Sequence, residues 1–404
     1  IIETRLSISC NYYRDQLCLL SLLFQPLHSW RSLSPFYIVM KIVHLTKEPC
    51  GGATRYAELL NFSLRESGYD SSLVTGVDIL GQSNISPLPR FLNRLLSRLL
   101  RSIQLDFFHT FLLFWEYDLR PTLRDADIIH IHSITNWISY FQIIRQAPQG
   151  AAIIFTLHDL WPVTGGCVVF NGCDQFLCSC GSCPILRPPF SRFLARFQLF
   201  IRSKLYSSRP IRFIANSEWT HDKVCRSKAL SGCVPPVIIH PAIETHIFHP
   251  ADDSRILGLR TFYSIPYDKF VILAGCSSLT DNNKNVSATV RVVSAANRQL
   301  GNRLHLVLFG EGQICVPSDL SSTAMGSIQS KETLADLYQL SDLFVSTSCM
   351  ETYGITLLEA MASGVPVVAF STGAIPAVLD NGRAGYLAPL HDEQSLIQLI
   401  LRLF

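Results

Sequence analysis

Two glutamates, Glu351 and Glu359, flank a stretch whose backbone is arranged to receive an anion. The segment Glu351-Thr-Tyr-Gly-Ile-Thr-Leu-Leu-Glu359 follows the apolar run Leu343-Phe-Val-Ser-Thr-Ser and leads into Ala360-Met-Ala-Ser-Gly364-Val-Pro-Val-Val. Gly354 marks a turn from loop to helix, and Ile355 to Ala362 are good or tolerable helix formers stopped by Gly364 and Pro366. A helix starting there leaves the N–H groups of Gly354, Ile355 and Thr356 without helical acceptors at the positive end of its dipole, which suits a phosphate. Ionised carboxylates only accept hydrogen bonds. Glu351 above the helix start and Glu359, one turn below Ile355 on the same face, are therefore fitted to pairs of sugar hydroxyls. An anion cradle between two hydroxyl acceptors matches the outline of a nucleotide sugar.

Three further positions carry chemistry. Lys284 precedes a helical stretch, where a lysine can neutralise a diphosphate as a point charge. His158 ends the apolar run Ala152-Ile-Ile-Phe-Thr-Leu, and a histidine at a strand tip can donate to a sugar hydroxyl or meet developing charge near neutral pH. Gly51 and Gly52 let the backbone approach a ligand closely, although a glycine pair is equally a flexible turn. His130 and His132, within Asp127-Ile-Ile-His-Ile-His132, read as ordinary structural histidines.

The elements that must position these residues alternate along the chain. Lys41 to Leu45 reads as a strand, Ala53 to Glu66 as a helix and Ser72 to Thr75 as a strand, the opening βαβ unit of a doubly wound sheet. Strands at 127–132, 152–157 and 213–215 continue it. A second set begins at Phe270-Val-Ile-Leu-Ala-Gly275 and includes Leu304 to Phe309, Leu343 to Ser348 and Val367 to Phe370. In such sheets ligands sit beyond the carboxyl ends of the strands, which is where His158, Lys284 and Glu351 fall.

With strands, glycines and Pro366 in register, the stretch from Glu351 to Gly385 resembles the Glu-x7-Glu motif of GT4-type retaining glycosyltransferases. The resemblance implies an α/β chain of the GT-B fold, with two Rossmann-like doubly wound domains facing across a cleft. It assigns Glu351 to the donor sugar and Glu359 to the ribose. Thr-Leu-His158-Asp is similar to the family's strand-end histidine beside the reacting bond, which makes His158 a catalytic residue together with Glu351. The Gly51-Gly52 loop takes the family's place near donor phosphate and acceptor. Lys284 keeps the diphosphate lysine, whereas Ser277 or Ser278 stands where the family has arginine and Asn285 replaces a glycine. The implied reaction moves a sugar from a UDP- or GDP-linked donor to a polysaccharide or lipid-linked saccharide, with no cofactor for catalysis.

The implied organisation is an upstream extension without a fold (1–39), an acceptor-side domain (40–245) and a nucleotide-sugar-binding domain (246–404). The last of these ends inside a helix starting near Glu393, short of the family's usual C-terminal helices, so truncation is expected. The cysteine-dense loop 165–187 resembles that of a bacterial exopolysaccharide or colanic-acid subset, which singles out Cys167, Cys173, Cys180 and Cys183. Four thiolates ending in Cys-x-x-Cys could hold a structural zinc; disulfides and plain loop packing are the open alternatives.

At 404 residues and 48% hydrophobic content the chain can supply two cores, and its formal charge of +3 is too near neutral to imply a nucleic-acid partner. Thirteen cysteines, an odd number unevenly placed, do not suggest a secreted disulfide framework. Arginines recur every four residues at Arg90, Arg94 and Arg98, and 189–202 repeats the theme with aromatics, so both stretches suit a membrane surface. The expected location is cytoplasmic, peripheral on the inner face of the cell membrane. A glycoside hydrolase is disfavoured, since its carboxyls must flank one bond and these lie along one helix end. A truncated, inactive relative acting as a binding protein is an alternative, as is a zinc-dependent nucleic-acid module built on the cysteines and basic helices.

Overall fold

The computed structural model describes residues 40–47, 51–76, 118–135, 137–169, 172–183 and 189–404. The upstream extension and the arginine-spaced stretch 90–103 lie outside the described residues.

Two six-stranded parallel sheets organise the rest. The first contains β1 (Lys41–Thr46), β2 (Asp70–Thr75), β3 (Ile128–Ser133), β4 (Ala152–Leu157), β5 (Ile211–Ala215) and β6 (Val237–Ile238), in the order β2-β1-β3-β4-β5-β6. The second contains β7 (Phe270–Ser278), β8 (Leu304–Glu311), β9 (Ser321–Ala324), β10 (Leu343–Ser346), β11 (Val367–Ser371) and β12 (Tyr386–Pro389), in the order β12-β11-β10-β7-β8-β9. Near-continuous burial along β1, β3, β4, β8 and β10 is the mark of strands covered on both faces, as parallel sheets require. Because successive side chains alternate, each strand feeds two cores: Val43, Leu45, Ile129, Ile131 and Phe155 pack on one side of the first sheet. Ile42, Ile128, Ile154 and Ile214 pack on the other.

Both orders reverse next to their founding strand. β1 lies between β2 and β3, and β7 lies between β8 and β10. At each reversal the connections leave in opposite directions and open a crevice beyond the carboxyl ends, the place where such folds bind ligands. The helix Glu393–Leu403 buries Leu396, Ile397 and Ile400 against the second sheet. The helix Pro189–Ser208 covers the first sheet through Ala195, Leu199 and Tyr206. Its Arg202, counted among the basic residues expected outside, is turned inward instead. That guanidinium stacks 4.1 Å over the Trp161 ring and its Nη1 donates to the Trp161 and Thr164 carbonyls, while among the described residues its buried Nη2 has no hydrogen-bond partner.

Candidate active site

The helix expected after the first glutamate runs from Ile355 to Ala362, with Gly354 ahead of it in a left-handed conformation (φ 94°) and no side chain capping its start. Glycine takes that conformation without steric cost, and an uncapped start leaves N–H groups for an anion. The preceding loop is fixed from behind. Ala374 donates to the Glu351 carbonyl at 2.9 Å, and Gly373 (φ +56°) comes so close that a Cβ there would lie 1.9 Å from the same oxygen.

Glu351 and Lys284 form one unit. The Lys284 ammonium lies 2.5 Å from Glu351 Oε1, which also accepts from Ser348 Oγ at 2.8 Å. Burial alone would depress the ammonium, but the Glu351 charge and hydrogen bond outweigh it and hold Lys284 above the ordinary lysine range. The pair borders a recess at the ends of β7 and β10 that also includes Gly275, Ser348 and Thr356. Asn285, which replaces the family's glycine, starts the next helix in a left-handed conformation (φ 50°) that glycine would adopt more readily.

Glu359 has a different setting. Only 3% exposed, it accepts from Tyr338 Oη at 3.0 Å and sits 3.7 Å from Arg55 Nη1. Burial raises its carboxyl to about 7 against the pull of Arg55 and Tyr338, so near neutrality it is part protonated and not the fully ionised acceptor its sequence context suggests. Arg55 belongs to the helix Gly52–Glu66 of the first sheet, so this ion pair bridges the two halves. It borders a second recess with Tyr56, Glu244 and Lys331, the last two joined by a hydrogen bond. Gly52 places the glycine loop against Ile355: a Cβ there would lie 3.7 Å from Ile355 Cδ1. Gly51 takes φ 113°, which favours glycine.

His158 follows β4 and meets the glutamate loop through Thr352. Thr352 Oγ1 donates to the His158 carbonyl at 2.7 Å and accepts from Asn216 Nδ2 at 3.2 Å, while Ser217 Oγ donates to the Thr352 carbonyl at 2.7 Å. One threonine thus ties the ends of β4 and β5 to the residue after Glu351. The backbone of His158 is thereby joined to the loop that carries Glu351. Desolvation holds the His158 imidazole down at about 4, so it is neutral at physiological pH. The adjacent Asp159 is raised by burial to about 6 despite a 2.7 Å hydrogen bond from the Trp161 N–H and the pull of Arg202.

Thr352→Val keeps the shape and removes the hydroxyl. Two neutral hydrogen bonds at roughly 1 kcal/mol each set the scale, so turnover is expected to fall by up to about thirtyfold. Unchanged kinetics in a folded variant would show that the cleft walls are registered by other contacts.

Sequence reasoning missed Arg55, Asn216, Ser217, Tyr338 and Thr352, and gave His132 a bland reading although its ring bonds to His158. Thr352, inside the motif itself, was the one with a local signal: a hydroxyl beside the first glutamate. The cysteine loop holds no preformed four-sulfur cluster among the described residues. A tetrahedron with bonds of about 2.3 Å puts its sulfurs about 3.8 Å apart. Among the described residues, the group of three or more whose ligand atoms fall within 4.8 Å of one another is His44, His130 and His132, and no three of Cys167, Cys173, Cys180 and Cys183 do so. Burial pushes the Cys167 thiol up to about 12 and that of Cys180 up to about 11. Cys180 and Cys183 pack into the first core as small apolar groups.

Residues 50–246 match the family model described as Glycosyltransferase Family 4, and residues 270–404 the one described as Glycosyl transferases group 1. The chain is similar to D-inositol 3-phosphate glycosyltransferase 1 of Catenulispora acidiphila, with 28% identity over 293 residues, 68% of this chain and 63% of that protein. For the similar enzyme of Mycobacteroides abscessus the matched part is 27% identical and amounts to 35% of that protein, so the chain spans between a third and two thirds of these relatives. Sucrose-phosphate synthase from Thermosynechococcus elongatus superposes with a TM-score of 0.61 at 17% identity, covering 90% of this chain and 89% of that one. At such identity the likeness is one of fold.

Proposed function

We propose, from the premise that this chain belongs to the group 1, family 4 glycosyltransferases, that it moves a sugar from a nucleotide-linked donor to a saccharide or lipid-linked acceptor with retained configuration. The observation that supports this reading is the Thr352 junction, which joins the end of β4 at the His158 carbonyl to the loop carrying Glu351, itself paired with Lys284. The donor diphosphate is held by Lys284 and the N–H groups at Gly354, Ile355 and Thr356. Glu351 and His158 orient the sugar, Glu359 with Arg55 meets the ribose, and the Gly51-Gly52 loop closes over the phosphates. The acceptor hydroxyl attacks on the face the diphosphate leaves, with a phosphate oxygen taking its proton. The protein's part is positioning and electrostatic stabilisation of the leaving group.

An HepE structure from Anabaena, which covers 90% of this chain with a TM-score of 0.57 at 16% identity, is a complex with UDP and glucose, which favours trying UDP-sugars first. The test is a thermal-shift panel of UDP- and GDP-sugars on the parent chain, followed by assay for released nucleotide with a saccharide acceptor. Stabilisation by one donor class and acceptor-dependent nucleotide release are expected. Indifference to every donor overturns the reading in favour of an inactive binding relative.

The helix Pro189–Ser208 favours an acceptor presented at a membrane. Phe193, Phe197 and Phe200 are 61%, 42% and 54% exposed, and Arg192, Arg196 and Lys204 are exposed beside them. Aromatics among cations suit an anionic headgroup layer, and no described helix is long and apolar enough to cross a membrane. Co-sedimentation with vesicles containing phosphatidylglycerol is expected, and the Phe193→Ser, Phe197→Ser double variant should bind about tenfold or more weakly. Equal binding by that variant would place the contact elsewhere.

A further inference from the structure

Behind His158 the first sheet carries three more imidazoles. Parallel pairing sets His44 of β1 beside His130 of β3, and the strand period puts His132 on the same face two residues on. Next door, β4 pairs with β3 so that Thr156 and then His158 continue that face. His44, His130 and His132 are each 2% exposed or less. Their rings form a line: His44 Nδ1 lies 3.1 Å from His132 Nε2, and His132 Nδ1 lies 3.2 Å from His158 Nε2. His130 stands beside the line and is bonded to Thr156 Oγ1 at 2.8 Å.

A neutral imidazole has one N–H and one lone pair, so the protons in such a line must all run the same way. The buried end decides which. His44 Nε2 is buried and, among the described residues, has no hydrogen-bond partner. If His158 donated inward from Nε2, His132 would donate on to His44, and His44 would be left with an orphaned N–H in the interior. Running outward, His44 Nδ1–H donates to His132, His132 Nδ1–H donates to His158 Nε2, and His44 Nε2 keeps only a lone pair. Buried orphaned N–H groups are the rarer and costlier of the two. The outward direction leaves the proton of His158 on Nδ1.

We propose that His132, backed by His44, is a positioning residue that locks His158 as the Nδ1–H tautomer and so gives the cleft a hydrogen-bond donor opposite the acceptor-only Glu351. A sugar hydroxyl can then donate to one wall and accept from the other. Burial keeps every ring in the line neutral, as the arrangement needs. The role of the donor rests on the transferase reading; the tautomer itself does not.

Long-range proton–nitrogen correlation on the full chain labelled with 15N-histidine reads the tautomer directly, with His158→Gln assigning the signals. The parent is expected to show His158 protonated on Nδ1. His132→Phe removes the donor and should shift His158 toward a tautomer mixture and lower kcat at least tenfold, with donor KM within about twofold. His132→Asn, whose amide can replace the Nδ1–H donor, should restore both. A parent His158 protonated on Nε2 overturns the proposal, as do unmoved ring shifts or unmoved kcat in His132→Phe. So does a stoichiometric metal ion in the purified chain whose removal shifts the His44, His130 and His132 signals. The parent spectrum decides even if the Phe variant does not fold. A chain with the Nδ1–H tautomer and no transfer activity would defeat the transferase reading while leaving the tautomer assignment standing.

Discussion

Glu351→Gln is expected to lower sugar transfer by about 10²–10³-fold in kcat, with donor KM changed only a few-fold. The leaving diphosphate takes negative charge away from the sugar, and the anomeric centre becomes cationic as it does so. A carboxylate fixed beside that centre is worth more in the transition state than in the bound donor, which is why the loss should fall on kcat. Glu351 is held for this task by Lys284 at 2.5 Å and Ser348 at 2.8 Å, with its loop pinned at the Ala374 N–H. Gln keeps the shape and removes the charge. It also leaves the Lys284 ammonium without its anion. The two side chains are 11% and 30% exposed, so solvent makes up part of that loss and the stability cost should be about 1 kcal/mol. Donor binding restores a counter-charge, so thermal shift by donor should be at least as large in the variant as in the parent. Initial-rate kinetics check the prediction, and a kcat within fivefold of the parent would remove Glu351 from the chemistry.

Mild acid should destabilise the protein steeply. His44 is held by burial at about 3 and His158 at about 4. His130 and His132 are held well below the ordinary range by burial and by neighbouring imidazoles. His305 is held at about 4 by burial, Lys269 and Arg260. In the unfolded chain all five titrate near 6.5, so below that pH the unfolded state takes up protons that the folded state refuses. Each such histidine withdraws about 1.4 kcal/mol per pH unit, from about 6.5 down toward its folded value. Two carboxyls act in the opposite sense. Glu359 at about 7 and Asp159 at about 6 are raised above their unfolded values, so the folded state gains relative stability as pH falls through those points. From pH 7 to pH 5.5 the balance is a net loss of about 4 kcal/mol, a large share of a typical folding free energy. Urea unfolding at pH 7.5, 6.5 and 5.5 measures it. A flat midpoint across that range would mean that the histidine cluster is open to water and titrates normally.

Much of the site was legible because its signal is local. The glycine at 354, the helix formers behind it and the stop at Gly364 predict the helix start, and the structure has the helix at Ile355–Ala362. The strands at 41–45, 152–157 and 304–309 were likewise readable, since burial on both faces writes itself as near-continuous apolar runs. The state of Glu359 was not readable: the burial that raises its carboxyl, and the Arg55 and Tyr338 contacts that pull against it, come from other elements. Arg202 was misread because helical spacing gives a face its periodicity without saying which arginine finds carbonyls and an indole within reach.

From the sequence alone came the class of fold, the helix start at Gly354 and the residue types around it, since each depends on neighbours a few positions apart. The tertiary structure alone decided which of those residues meet. Thr352 bonds to a carbonyl 194 positions away, and His132 bonds to His44 across 88 positions. Such meetings depend on strand order, register and the docking of one sheet's end against the other. A slip of one residue in β3 would turn His130 and His132 to the opposite face and break the line between His44 and His158.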